Sequence, residues 1–175
     1  MSGTITLRPA APDDVGDITA IYAHAVEHGT ASFELEAPDQ TEMAIRLATL
    51  IDGGFPYIVA EAGGRIVGYA YAGPYRQRIG YRHTVEDSVY IHPRAHRHGI
   101  GRLLLTEVIT QAEARGFRQM VAVIGDSAQT ASIALHRSLG FQPVGTFTNI
   151  GFKHGRWLDS VLMQRGLGEG ASTLP

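Results

Sequence analysis

Two glycines one residue apart, Gly99 and Gly101, stand at the junction between a strand-like segment and a helix-like one. The residues before them, HTVEDSVYIH at positions 83–92, have the pattern of a strand, and the apolar residues from Ile100 onward recur at helical spacing. Glycines let the backbone approach a ligand closely, and the first N–H groups of the helix, at the positive end of its dipole, are free to bind an anion. This junction therefore predicts a strand, loop and helix that together hold a phosphate group.

The other segments predict an α/β domain around this unit. Strand patterns cover residues 4–10, 57–62, 66–72, 119–125, 143–152 and 156–164, and helical patterns begin after Pro12, cover residues 41–51 and 129–139, and run from Ile100 to near Gly116. The segments Gly63-Gly64-Arg65 and Lys153-His154-Gly155 suit tight hairpin turns. The order β-α-α-β-β-β-α-β-α-β-β describes a mixed central sheet with helices on both faces. We assign residues 1–166 to a single domain and expect residues 167–175 to form a loosely held tail.

Composition limits the classes of function. With 175 residues, 44% of them apolar, the chain is long enough for one good core. The formal net charge of −2 argues against general binding to nucleic acid or to an acidic membrane, and the lack of cysteine excludes disulfides, a cysteine nucleophile and thiolate metal sites. The sequence shows neither a signal peptide nor an apolar run of membrane-spanning length, so a cytoplasmic protein is expected.

The spacing around the two glycines separates three kinds of phosphate-binding loop. A Walker loop requires Lys-Ser/Thr after the second glycine, where this chain has Arg-Leu, and a dinucleotide fingerprint requires a third glycine, where it has leucine. What remains resembles the pyrophosphate loop of the GCN5-related N-acetyltransferases (GNAT), Gln/Arg-x-x-Gly-x-Gly/Ala, which binds acetyl-coenzyme A. His96 occupies the Gln/Arg position, while Arg97, His98 and Arg102 keep the loop basic. The alternative is a glycine pair that only starts a helix.

The resemblance to this family covers residues 4–165 and implies a GNAT fold with acetyl-coenzyme A as co-substrate. It also implies that the strand before the loop parts from its neighbour at a bulge and pairs with the pantetheine arm. The helix within QTASIALHRSLGF is expected to touch the pantetheine or the nucleotide. The implied coenzyme-binding residues are Val89, Tyr90, Ile91, Arg97, His98, Gly99, Ile100, Gly101, Arg102, Gln129, Thr130 and Ser138. Three stretches, TVEDSVYIHPRAHRHGIG, VAVIG and GFKHGRWLD, are similar more narrowly to the phosphinothricin or methionine sulfoximine acetyltransferases.

Two side chains are candidates for proton transfer. An α-ammonium group must lose a proton before it attacks a thioester, and Glu86, on the strand leading to the glycine loop, is our candidate base, acting directly or through one water. The alternative is a solvated or ion-paired carboxylate.

His136 stands where many relatives carry a tyrosine facing the sulfur, and it is expected either to protonate the leaving thiolate or to help take the proton of the amine. The alternative is a histidine packed on a helix flank and hydrogen-bonded to the backbone. A backbone N–H near Tyr90 is expected to stabilise the charge on the carbonyl oxygen.

The segment GPYRQRIGYRHT is the candidate acceptor site. Its three arginines, Arg76, Arg78 and Arg82, lie just before Glu86, and guanidinium groups fit carboxylate or phosphinate oxygens in bidentate fashion. The resemblance implies that the polar end of the acceptor is held by Arg76, Arg78, Gly80 and Tyr81, and that Phe33 walls the pocket. The alternative is a solvated, charged loop.

Two further expectations concern partners and metals. In KHGRW, residues Lys153, His154 and Trp157 are candidates for a subunit contact, and the resemblance implies a symmetric homodimer. His92, His96 and His98 have no carboxylate partner nearby in the sequence, so no metal site is expected.

Together these patterns predict an enzyme that moves the acetyl group of acetyl-coenzyme A directly to the α-amine of a small anionic amino-acid-like substrate, such as phosphinothricin or methionine sulfoximine. Two alternatives stay open. One is a GNAT enzyme for another amine, such as a polyamine, an aminoglycoside or a protein amino terminus, although the arginines argue against polycationic acceptors. The other is a non-catalytic sensor of acyl-coenzyme A.

Overall fold

A mixed sheet of seven strands organises the computed structural model, which describes residues 4–175. The strands lie in the order β1-β2-β3-β4-β5-β7-β6. In chain order the elements are β1 (Thr6–Pro9), α1 (Val15–His28), α2 (Gln40–Asp52), β2 (Tyr57–Ala62), β3 (Arg65–Pro74), β4 (Thr84–Ile91), α3 (Ile100–Ala114), β5 (Gln119–Gly125), α4 (Thr130–Ser138), β6 (Gln142–Lys153) and β7 (Arg156–Gly166). This order confirms the predicted fold class. Residues 1–3 of the predicted domain lie outside the described residues.

Caps and tight turns set the ends of several elements. Asp39 caps α2 by accepting a hydrogen bond from the backbone N–H of Glu42 at 2.9 Å, and the helix is one residue longer at each end than predicted. The β2–β3 hairpin turns at Gly63 and Gly64, with φ of 59° and 75°. The β6–β7 hairpin turns at residues 154–155, with φ of 51° and 73°. Two successive positive φ angles are what a two-residue hairpin turn requires, so both predicted hairpins are confirmed.

Helices cover both faces of the sheet. The helices α1 and α2 pack on one face around Tyr57 and Tyr69, and α3 packs on the other with Leu104 and Val108 in its core. Because side chains alternate across a strand, β4 sends even-numbered residues towards α1 and α2 and odd-numbered residues towards α3 and α4. Neighbouring residues of β4 therefore serve different sides of the sheet.

The strands β4 and β5 pair for only part of their length. Their parallel ladder covers Thr84–Asp87 on β4 and Gln119–Ala122 on β5, after which the strands part. β4 stays paired with β3 as far as Ile91, and β5 stays paired with β7 along its whole length. The parting that the resemblance implies is present, but the expected bulge is wrong, because the register of β4 against β3 is unbroken. The two halves of the sheet separate instead, each keeping its own outer partner.

The carboxyl-terminal residues differ from the expectation of a loose tail. Leu167 is fully buried in the core, so the folded domain continues beyond residue 166. Arg118 then donates hydrogen bonds to the Thr173 hydroxyl at 2.8 Å and to the Leu174 carbonyl at 2.9 Å. Between residues 4 and 175, none of the helices combines the length and the apolar character needed to cross a membrane. The cytoplasmic location stays a prediction.

Candidate functional site

Three neighbouring cavities follow the line along which β4 leaves β5. The groove, of about 580 Å³, lies between the end of β4, the glycine loop, the start of α4 and the end of α1. The slot, of about 60 Å³, lies where the two strands part. The acceptor-side cavity, of about 390 Å³, lies on the other face between α2, β3 and β4. The slot shares Val89 and Tyr90 with the groove and Ser88 with the acceptor-side cavity, so it lies between the two larger spaces.

The glycine loop has the geometry of an anion site. Gly99 caps α3 with a left-handed φ of 76°, and the first N–H groups of that helix have no partner within it. A Cβ atom on Gly101 would lie 3.3 Å from the side chain of Leu135 across the groove, so a larger residue would narrow the space. His96, at the position of the family's Gln/Arg, donates from Nε2 to the Ile91 carbonyl at 2.9 Å and ties the loop to β4. These features fit a diphosphate at the start of α3.

Most of the predicted coenzyme-binding residues line the groove. They are Val89, Tyr90, Ile91, Arg97, Gly99, Ile100, Gly101, Arg102 and Gln129. His98, Thr130 and Ser138 lie outside that lining. The Ser138 hydroxyl accepts a hydrogen bond from Arg102 at 2.9 Å and donates one to the Leu135 carbonyl at 2.7 Å. Ser138 therefore acts on the groove by orienting Arg102.

The free backbone groups of β4 belong to its odd-numbered residues. The His92 N–H donates to the Val67 carbonyl of β3 at 2.9 Å, and in an antiparallel ladder every second residue makes such bonds. Tyr90 is therefore bonded to β3, whereas Val89 and Ile91 face the gap left by β5. The N–H near Tyr90 that could meet a carbonyl oxygen is then that of Val89 or Ile91.

A buried ion pair closes the slot at the parting of the strands. The Asp87 and His136 side chains are 2% and 5% exposed, and His136 Nε2 lies 2.9 Å from Asp87 Oδ2. His136 Nδ1 lies 2.7 Å from the Ser132 carbonyl. The Ser132 carbonyl and the Asp87 carboxyl group thus face the two ring nitrogens, and this arrangement favours the protonated form of the ring. Burial alone lowers the pKa of His136, but the hydrogen bond and charge of Asp87 outweigh it and raise that pKa.

His136 is thus held as a packed histidine, which was the alternative in the sequence analysis. One of its two hydrogen bonds has to open before a ring N–H reaches a substrate. Its role as a proton carrier stays a prediction.

Glu86 occupies the opposite side of the sheet and lines the acceptor-side cavity. Burial, followed by the nearby charge of Asp87, raises its pKa to about 7, although Arg76 opposes this. A carboxyl group that titrates near neutrality is suited to accept a proton from an ammonium group. The remaining lining of this cavity comes from Ile45, Arg46, Thr49, Leu50, Tyr71, Gly73, Pro74 and Ser88.

The arginine segment forms an exposed loop after β3. The guanidinium carbon of Arg76 lies 5.2 Å from the ring centre of Tyr75 and 5.9 Å from that of Tyr81, and its charge acts on Glu86. None of the predicted acceptor-binding residues of this loop lines the acceptor-side cavity, and all of them are exposed: Arg76, Arg78, Gly80, Tyr81 and Arg82. Of the predicted acceptor-binding arginines, Arg76 is therefore the one that the geometry brings to Glu86.

Two predicted positions differ from their expected surroundings. Phe33 does not line the acceptor-side cavity; its ring fills the space where Cβ atoms of Gly125 and Gly151 would stand, 2.9 and 2.4 Å away. The two glycines leave room for the ring between β5 and β6. Lys153 is 3% exposed and donates from Nζ to the Ser32 carbonyl at 2.7 Å, so it makes a contact within the chain. Trp157, in contrast, is 60% exposed and remains available for a subunit contact.

Several site residues carry no signal in the sequence. His24 and His28 of α1, whose ring centres are 4.7 Å apart, line the groove opposite the glycine loop, and Arg46 of α2 lines the acceptor-side cavity. Only the fold brings these helices to β4. In the part of the chain that the structure describes, no three His, Cys, Asp or Glu residues are grouped as metal ligands would be.

Comparison with known proteins agrees with this geometry. Residues 18–141 match the model of the acetyltransferase (GNAT) family. The chain is 53% identical over 170 residues to a phosphinothricin N-acetyltransferase of Alcaligenes faecalis, covering 97% of this chain and 86% of the relative. It is 40% identical over 168 residues to an L-methionine sulfoximine/L-methionine sulfone acetyltransferase of Salmonella typhimurium, covering 96% and 98% of the two chains.

A solved structure extends the likeness to the whole fold. The crystal structure of a GNAT superfamily phosphinothricin acetyltransferase from Sinorhizobium meliloti in complex with acetyl-coenzyme A has a TM-score of 0.96 and 50% identity. The match covers 98% of this chain and 93% of that one.

The buried pair leads to a prediction about stability and pH. We expect Asp87→Asn to lower the free energy of unfolding by about 2 kcal/mol at pH 6, because a neutral amide replaces a charged partner in a buried hydrogen bond. The pKa of His136 is raised by folding, so the contribution of the pair is complete below its ordinary value of about 6.5 and is lost as pH rises through the raised value. Urea unfolding of both proteins between about pH 6 and pH 9 measures the difference. A difference that stays constant over this range contradicts the assignment, and the exposed variant Asp13→Asn serves as the control.

Proposed function

Because this chain belongs to the GNAT family and is an acetyl-coenzyme A-dependent N-acetyltransferase, we propose that its acceptor is the α-amine of a small anionic amino acid such as phosphinothricin or methionine sulfoximine. The observation that carries this proposal is the position of Glu86 in the acceptor-side cavity, where burial raises its pKa and the charge of Arg76 in the neighbouring loop opposes that rise. An α-amino acid brings a positive and a negative group together. The Glu86 carboxylate suits the ammonium group, and the Arg76 guanidinium in the neighbouring loop suits the acidic group.

We propose that the groove holds the coenzyme through main-chain groups. The unsatisfied N–H groups at the start of α3 suit its diphosphate, and the unpaired backbone of Val89 and Ile91 suits the amides of its pantetheine arm as an added strand would. Bound acetyl-coenzyme A supplies an activated acetyl thioester. The slot between β4 and β5 is the proposed route of this end of the coenzyme, because Ser88 lines both the slot and the acceptor-side cavity.

Glu86 is the proposed base. Its carboxylate takes a proton from the acceptor ammonium, directly or through one water, so that a neutral amine faces the slot. Its raised pKa means that the carboxylate is basic enough for this transfer and is still ionised in a useful fraction of molecules near pH 7. The backbone N–H of Val89 or Ile91 meets the charge that develops on the carbonyl oxygen. His136, held by Asp87 at the closed end of the slot, places a positive charge where the thiolate leaves.

The alternatives carry less support. The family assignment and the named activities of the relatives set aside the non-catalytic sensor. A polyamine or an aminoglycoside would bring several positive charges to a cavity that Arg46 lines and that Arg76 adjoins. Glu86 is the one carboxylate in the lining of this cavity and can balance only one of these charges, so a polycationic acceptor fits poorly. A peptide amino terminus lacks a free α-carboxylate and leaves Arg76 without its partner.

We also propose that the protein is a symmetric homodimer that buries the outer face of the β6–β7 hairpin. The strand β6 is the edge of the sheet, and exposed apolar edge strands are uncommon in monomers. The large apolar side chains exposed on the hairpin are Val144, Phe147, Ile150, Phe152 and Trp157.

The acceptor proposal is tested by the release of free thiol from acetyl-coenzyme A. We expect release with phosphinothricin, methionine sulfoximine and some amino acids, and little with polyamines or peptides, because only the former carry both an α-ammonium group and an acidic group. The measurement is a thiol assay over this panel at equal concentrations. Turnover confined to polyamines or to peptides would show that the acceptor class is wrong.

The role of Glu86 predicts a characteristic pH profile. The kcat/KM of the natural chain rises with pH through about 7, as Glu86 loses its proton. Glu86→Gln removes this limb and lowers kcat/KM by about 100-fold or more. Arg76→Gln moves the limb to higher pH, because Arg76 lowers the pKa of Glu86, whereas Arg78→Gln leaves its position unchanged. Steady-state rates from about pH 5.5 to pH 9 measure these shifts, and an unshifted limb in Glu86→Gln would assign the base elsewhere.

The dimer proposal is tested by sedimentation. The natural chain is expected to sediment as two copies, and Ile150→Glu or Trp157→Glu as one, because a charge in an apolar contact loses its hydration. Leu35→Glu, which charges an exposed side chain away from the hairpin, is the control. A natural chain that sediments as one copy at tens of micromolar concentration would refute the proposal.

A further inference from the structure

Lys153 is the only lysine in the chain, and it is buried. It ends β6, and its Nζ donates to the backbone carbonyl of Ser32 at 2.7 Å. Burial lowers the pKa of Lys153, while the charge of Glu34 opposes this effect. An ammonium group is costly to remove from water, and an apolar side chain would fill the same space at less cost. The contact with Ser32 is therefore the feature that calls for an explanation.

The β6–β7 turn holds the same loop at two further points. His154 donates from Nε2 to the Gly29 carbonyl at 3.2 Å. Arg156, the first residue of β7, forms an ion pair with Asp126, whose carboxylate also accepts a hydrogen bond from the Thr30 hydroxyl at 3.2 Å. The turn therefore contacts residues 29–32 through one buried ammonium, one imidazole and one bridged ion pair.

Residues 29–34 link the two substrate sites. Ala31 lines both the groove and the slot. Glu34 accepts a hydrogen bond from Arg46 at 2.7 Å, and Arg46 lines the acceptor-side cavity. The Ser32 hydroxyl lies between these two positions and bonds to Tyr22 at 2.9 Å. A displacement of this loop would change the shape of both sites together.

We propose that Lys153 is a positioning residue for acetyl transfer, which acts from the β6–β7 turn by fixing residues 29–34 across the groove and the acceptor-side cavity. Lys153 lines none of the three cavities and therefore acts through the loop. The proposal rests on acceptor binding in the acceptor-side cavity, as proposed above. It accounts for a buried cation at the end of a strand whose other large side chains are mostly exposed.

The first test is Lys153→Met, which keeps an unbranched apolar side chain of nearly the same length and removes the ammonium donor. With the best acceptor of the natural chain, we expect KM for the acceptor to rise about tenfold and kcat to fall about tenfold, since small misplacements of substrate have effects of this size. Coenzyme binding measured by calorimetry keeps one site per chain. Arg118→Met is the matched control, because Arg118 also pins a backbone segment but at residues 170–174, and we expect its KM and kcat to stay natural. If KM is unchanged and kcat falls only in proportion to the number of coenzyme-binding sites per chain, the substitution has a structural effect, and this result would overturn the proposal.

Two readouts do not depend on the identity of the acceptor. Hydrogen exchange of the amides of residues 30–34 is expected to speed up in Lys153→Met and to stay unchanged in Arg118→Met; equal exchange in both variants overturns the proposal. Because Lys153 is the only lysine, lysine labelled with ¹⁵N at Nζ gives a single resonance from the unmutated protein. We expect slow proton exchange at this nitrogen and a change in its chemical shift when acceptor or coenzyme binds. This measurement uses the natural chain, so it does not require that Lys153→Met folds. Proton exchange as fast as that of free lysine overturns the proposal. If none of the acceptors in the panel reacts but these two readouts behave as expected, the proposed acceptor is wrong and the role of Lys153 still stands.

Discussion

The separation of β4 from β5 after Asp87 is the constraint on which the rest of the site depends. A strand in the middle of a sheet normally has its N–H and C=O groups bonded on both sides, and buried groups without partners are costly. Val89 and Ile91 keep their place in the core while their backbone faces a gap. An extended ligand with its own amides completes this ladder. In the proposed complex the pantetheine arm fills this gap in the sheet, and the start of α3 provides the diphosphate site next to it.

Two acids one residue apart take different roles because they lie on opposite faces of β4. Asp87 is buried against α4 and is neutralised by His136, whereas Glu86 faces the acceptor-side cavity with no ion-pair partner of its own in the described chain. The charge of Asp87 helps to raise the pKa of Glu86, and Arg76 lowers it. Because side chains alternate along β4, the Asp87 carboxylate packs beside His136 while the Glu86 carboxylate faces the acceptor-side cavity, with no change of backbone conformation between them.

The sequence predicts the elements of this fold well because periodicity, glycine turns and helix ends are local signals. The strand β5 is predicted to the residue and the two hairpin turns to within one residue, and the position of Glu86 before the glycine loop predicts its place near the candidate site. The errors arise where distant segments meet. The partner of His136 is Asp87, the ring of Phe33 lies against two glycines of β5 and β6, and Leu167 enters the core. None of these contacts leaves a pattern in either segment, because each depends on which strands become neighbours.

At the turn after β6, the family motif does not predict which side chains face the core and which face the solvent. A tryptophan next to the hairpin tip in KHGRW favours a subunit contact for the whole stretch. Strand alternation divides it instead: Lys153 points into the chain and Trp157 points out. If the outward side meets a second subunit, as proposed, the same short hairpin connects the dimer surface to the loop that borders both substrates. The rigidity of that loop would then depend on burial of the hairpin, which gives dimer formation a direct physical route to the geometry of acetyl transfer.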